Sequence, residues 1–250
     1  MSKKILICGD SFALTDKRYP ELHFSEKIKK KIPDCEIINL AIGGHSNSLI
    51  ELQVRQGLQF DPDAIIIVFT DIWRTEFLRS DSPYFNEVIK EVVDYPRQPK
   101  WQTIRNHNLK KYISSAHLNQ PTIPKADSAN QIIEIFNNLQ KYTDDDYLLI
   151  KNYFIISSIF NLLTIKNIPF CFNLGGIGYK FDEKPSFKDK LVDQLLPKHF
   201  LPNEFVEHSD KEIDIDLWKY ADHFNGPYFH VEDEAIQIEF ANQCIAKLGL

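Results

Sequence analysis

Three short runs near the amino terminus end abruptly, and each end is a turn: Ile5-Leu6-Ile7-Cys8 before Gly9-Asp10-Ser11, Glu36 to Leu40 before Ala41-Ile42-Gly43-Gly44, and Ala64 to Phe69 before Thr70-Asp71. The third run is uninterrupted, apolar and mostly β-branched, the pattern of a strand buried on both faces. Between the runs, Phe24, Ile28 and Ile32 recur at helical spacing, and Ser48 to Leu58 also reads as a helix. Strands alternating with helices, each strand closed by a polar or glycine turn, imply a parallel α/β sheet with Ile5 to Cys8 as its central strand. Open sheets of this kind bind ligands in the crevice at the carboxyl ends of the strands, so the three turns are where chemistry is expected.

Further along, Pro96, Pro99, Pro121 and Pro124 break a stretch rich in Asn and Gln. Within it Phe85 to Val93 and Ala129 to Leu139 read as helices, so residues from about 80 to 145 are expected to form a mostly helical insertion on one domain spanning 1–250. Tyr147 to Ile165 is a long apolar helix and Ile168 to Leu174 a fourth strand. Lys188 to Leu196 is a short amphipathic helix, Asp216 to Phe229 a loop, and Glu232 to Leu248 a last helix with Ala241, Cys244, Ile245 and Leu248 on one face.

Composition excludes several functions. Net charge is −6 and no basic stripe exists, which argues against nucleic acid as a partner. The four cysteines are far apart with no CxxC pair, so reduced thiols and no metal are expected. No run approaches the roughly 20 apolar residues of a membrane span. The first strand begins within four residues of Met1, so no secretory signal and a cytoplasmic location are expected. Gly175-Gly176-Ile177-Gly178 lacks the G-x-G-x-x-G spacing of a dinucleotide cradle, and no other cofactor is expected.

Gly9-Asp10-Ser11, the Asn39-Leu40-Ala41-Ile42-Gly43-Gly44 turn and the late His230 together resemble the SGNH (GDSL-type) hydrolases over most of the chain outside the insertion. The resemblance implies a three-layer, flavodoxin-like fold with a parallel sheet of about four to five strands flanked by helices. It makes Ser11 the nucleophile, His230 the general base, and the N–H groups of Ser11 and Gly44 part of an oxyanion hole. Asp10, Asn47 and Thr70 would complete the oxyanion and substrate-binding set. Two positions depart from the family pattern: Thr70 stands where an Asn side chain usually donates to the oxyanion, and Pro227 stands where the triad Asp usually lies. Asp222 is the nearest upstream carboxylate and would have to orient the imidazole; otherwise the set is a Ser–His dyad. Phe69 to Glu76 also resembles a variant block in SGNH-like proteins of bacteriophages, which would place Arg74 and Glu76 on the site wall and fits a phage-encoded chain.

A serine hydroxyl needs a base for its proton and donors for the oxyanion, which this set would supply for hydrolysis of a small-molecule or glycan ester. Alternatives remain open on the residues alone. His223 adjoins Asp222 and competes with His230 as the base; His45 either lines the pocket or points outward; Arg74 and Glu76 also fit a surface ion pair. With Thr70 and Pro227 in place of the usual residues, a domain that binds a glycan or protein without catalysis is the competing reading.

Overall fold

The computed structural model describes residues 2–15, 19–72, 74, 76–78, 112–114, 145–175, 208–215, 217–220 and 233–250. The chain divides into two compact units, one of Met1–Ile72 with Asp144–Leu250 and one of Trp73–Thr143.

The first unit holds a parallel sheet. Its strands are β1 (Lys4–Gly9), β2 (Glu36–Asn39), β3 (Ala64–Val68) and, numbered after the second unit's pair, β6 (Phe170–Asn173), in the order β2-β1-β3-β6. Every pairing is parallel, with Ile7 opposite Asn39 on one side and Ile66 on the other. β1 is therefore interior, as its apolar run implied. Beyond β6 the chain adds one further parallel bridge, Phe172 to Glu212, and Ile213 N–H donates to Phe172 O at 2.7 Å.

Successive strand residues face opposite sides, and both faces are apolar because both are covered. Ile5, Ile7, Ile66, Val68 and Cys171 join a core with α1 (Phe24–Lys31) and α4 (Glu234–Leu248). There Phe24 and Phe240 stack with ring centroids 4.7 Å apart. The opposite face meets α2 (Asn47–Gly57) and α3 (Asp145–Ile165), which carries Phe160 to within 4.6 Å of Phe172. Gly57 permits the close approach of α2, since a Cβ there would lie 2.2 Å from Leu6 Cδ2. The result is a three-layer α/β/α arrangement: the strand–helix alternation implied its parallel sheet, and the family resemblance its three layers.

In the second unit the described residues form an antiparallel pair, β4 (Glu76–Leu78) with β5 (Tyr112–Ser114). The sequence gives no sign of this pair, because three residues are too few to display a period. The helices expected over Phe85 to Val93, Ala129 to Leu139 and Lys188 to Leu196 lie outside the described residues.

Candidate functional site

The order β2-β1-β3 reverses direction between β1 and β3, so the crevice of this sheet opens at the carboxyl ends of those two strands. Asp10 and Ser11 follow β1; Thr70 follows β3. The chain turns sharply after Gly9, with Ala13 N–H and Leu14 N–H both donating to Asp10 O at 3.2 and 3.1 Å. Gly9 is required by closeness: a Cβ there would lie 2.6 Å from Ala13 Cβ and 2.8 Å from Val68 O. Ser11 is nearly buried, with 8% of its surface exposed.

The glycine turn after β2 packs directly on the serine. A Cβ on Gly43 would touch Ser11 Cβ at 3.5 Å, and Gly44 takes the left-handed φ of 78° that glycine adopts without strain. Asn39 secures the junction: its Nδ2 donates to Ala13 O at 2.7 Å, and its Oδ1 accepts from Ala41 N–H at 2.9 Å. Among the described residues, the N–H groups of Ser11, Gly43 and Gly44 make no hydrogen bond. Three unpaired donors around a serine at a strand end are the chemical prerequisite for holding an oxyanion.

Thr70, Asp10 and Asn47 gather at this crevice, each bonded to a neighbouring turn or strand end. The Thr70 hydroxyl donates to Asp10 Oδ2 at 2.8 Å, and Phe12 N–H donates to Asp10 Oδ1 at 2.9 Å. Thr70 has a single hydroxyl proton, so this bond takes the donor that an oxyanion would need. Asn47 is equally engaged. Its Nδ2 donates to Thr70 O at 2.9 Å and to Asn152 Oδ1 at 2.7 Å, while its Oδ1 accepts from Thr70 N–H at 2.9 Å. Both amide hydrogens are used, so Asn47 braces the end of β3 and has no donor left for a ligand. Asp10, with no exposed surface, is an acceptor that ties the β1 turn to β3. The Thr70 hydroxyl, expected as a stand-in oxyanion donor, is thus spent on Asp10, and all three side chains brace the backbone at the ends of β1 and β3.

Two residues escaped the sequence reading. Asn152 on α3 donates from Nδ2 to Leu148 O at 2.7 Å and to Ile72 O at 3.3 Å, fixing the chain just beyond Thr70. Gln53 on α2 reaches Gly9 and His45, which is itself 7% exposed. Each had a legible signal, a lone amide side chain within an apolar helical stripe: Leu49, Ile50, Gln53, Val54 in one case, Leu148, Asn152, Ile156, Ile159 in the other.

Arg74 is half-buried and belongs, with Glu76 of β4, to the second unit. Asp222, His223 and His230 lie outside the described residues. The helix that follows His230 is placed, however. Phe24 N–H donates to Gln237 Oε1 at 2.9 Å, and Glu234 pairs with the buried Lys27, so the first turn of α4 lies beside the first turn of α1. The start of α1 is in turn joined to the serine turn, His23 Nε2 lying 3.3 Å from Phe12 O. Among the described residues, no group of three or more His, Cys, Asp or Glu side chains is arranged to hold a metal. No helix of the described residues is long and apolar enough to cross a membrane.

No protein-family model and no curated protein matches the chain. Solved structures similar to it include the psychrotrophic esterase EstA from Pseudoalteromonas sp., in a form inhibited by monoethylphosphonate, at 10% identity over 99% of this chain and 97% of that one, with a TM-score of 0.46. A protein of Desulfitobacterium hafniense DCB-2 assigned to the lipolytic G-D-S-L family is 10% identical over 96% of this chain and 99% of its own, with a TM-score of 0.42. The acetyl xylan esterase AlAXEase is 14% identical over 97% of this chain and 98% of its own, also with a TM-score of 0.42. At such identities the functional reading rests on the site itself.

Proposed function

We propose that this chain is a serine ester hydrolase of the SGNH type, which removes an acyl group such as acetyl from a small-molecule or carbohydrate ester. Ser11 Oγ attacks the acyl carbon while His230 takes its proton, and Asp222 orients the imidazole. The oxyanion of the tetrahedral intermediate is held by main-chain N–H groups of Ser11 and Gly44. The alcohol leaves with the proton from His230, and water then cleaves the acyl-enzyme by the same route. The observation that carries this reading is the trio of unpaired N–H donors around Ser11 at the switch point of the sheet. The anchoring of α4's first turn beside α1, itself joined to the serine turn, supports His230 as the base, since His230 lies four residues before that helix in the chain.

The test is burst release from an aryl acetate, with and without a serine-directed fluorophosphonate. Ser11 is expected to be labelled in the parent; Ser11→Ala loses label and turnover, and His230→Ala loses turnover where His223→Ala keeps it. The reverse result for the two histidines moves the base to His223. A folded, unlabelled, inactive protein refutes the hydrolase and leaves the non-catalytic binding domain, a reading favoured by one observation: the Thr70 hydroxyl is already bonded to Asp10.

A further inference from the structure

We propose that Gln53 is a positioning residue for catalysis: it fixes the nucleophile's strand against the glycine turn, and so sets the separation of the Ser11 and Gly44 N–H donors. This deepens the hydrolase reading and rests on it.

Hydrogen-bond chemistry fixes the orientation of the Gln53 amide. Gly9 N–H can only donate, so the Gln53 atom 2.8 Å from it is the oxygen. The other atom is then the amide nitrogen, which lies 3.0 Å from Gly9 O and 2.9 Å from His45 Nδ1. It has two hydrogens, one for each. His45 Nδ1 must therefore accept, which leaves the ring neutral with its proton on Nε2. One wholly buried side chain thus clamps both polar groups of Gly9, two residues before Ser11, and also grips His45, next to Gly44. Gly9 O also accepts from Ile42 N–H at 3.1 Å, so the glycine turn is held to β1 at both of its ends. The unpaired donors of Gly43 and Gly44 lie in the chain between Ile42 and His45, and that of Ser11 two residues after Gly9. An oxyanion hole works only when its donors are placed before the reaction begins, so the strut should act on kcat more than on KM.

The experiment begins with the parent protein, by aryl acetate turnover and fluorophosphonate labelling. A parent inert to both overturns the hydrolase reading and this inference with it. In an active parent, Gln53→Met is expected to lower kcat about 10- to 100-fold with KM little changed, because small misplacements of reacting groups cost that much. The rate of Ser11 labelling should fall in proportion. His45→Leu, which keeps the clamp on Gly9, is expected to lose less. Val54→Ala, a neighbouring buried position on the same helix, should lower the melting temperature and leave kcat unchanged. In the parent, 15N NMR at neutral pH should find His45 with a bare Nδ1 and a protonated Nε2. The inference fails if Gln53→Met keeps kcat within about twofold of the parent, if Val54→Ala loses as much kcat, or if neutral His45 carries its proton on Nδ1. Should Gln53→Met not fold, the NMR signature and His45→Leu decide.

Discussion

Asp10 has no exposed surface, and the Thr70 hydroxyl is one of the donors that keep its carboxylate satisfied there. Thr70→Val preserves shape and removes only that donor. Leaving a buried acceptor short costs about 1–3 kcal/mol, more where the group is charged. A lowered urea midpoint for Thr70→Val, restored by Thr70→Ser, is the expected outcome; an unchanged midpoint would mean that the bond contributes nothing. The same reasoning separates this threonine from the asparagine that the SGNH resemblance places there. An amide has two hydrogens and can brace and donate together, whereas a hydroxyl proton spent on Asp10 is not available to a ligand.

Packing of elements turns on α2 lying close over β1. Two effects oppose each other in Gly57→Ala. Helix propensity would favour alanine by about 1 kcal/mol. The new Cβ, however, meets the buried Leu6 side chain at 2.2 Å, and overpacking of that kind costs about 1–3 kcal/mol. The clash should win, and Gly57→Ala should lower stability. Leu6→Ala alone should cost about 2–5 kcal/mol through its cavity. Together the two should cost less than their sum, and strict additivity in the double-mutant cycle would refute the contact. The pairing of α1 with α4 has a pH signature. Lys27 holds the Glu234 carboxylate below its ordinary value of 4.5, by hydrogen bond first and charge second. A depressed folded value contributes stability that is present above the ordinary range and is lost as pH falls through the folded value. Denaturation midpoints followed down through that range should therefore fall less steeply in Glu234→Gln than in the parent; parallel curves would show the pair to be inert.

For the molecule as a whole, a sheet covered on both faces hides its thiols. All four cysteines are free and buried, and burial pushes the Cys8, Cys35 and Cys244 thiols above their usual range, Cys171 adding to the effect at Cys244. A buried thiol kept protonated is a poor nucleophile. Ellman's reagent should find almost no thiol in the native protein and all four in denaturant. Prompt stoichiometric reaction of the native protein would contradict this burial.

The sequence by itself determined the architecture of the first unit. Apolar runs of strand length, helical stripes between them and turns after them are local patterns, and local patterns report which residues are buried and in what order. From that alone Ser11 belonged at the carboxyl end of an interior strand. Only the tertiary structure decided what each polar group near the serine does. Thr70 meets Asp10 across 60 positions, and Asn47 meets Asn152 across 105. No periodicity encodes such partners, because they depend on how finished elements pack. Thr70 and Asn47 were therefore legible as residues at the strand ends and illegible as braces between them. Gln53 and Asn152 looked like blemishes in apolar stripes until the fold brought backbone groups to meet them.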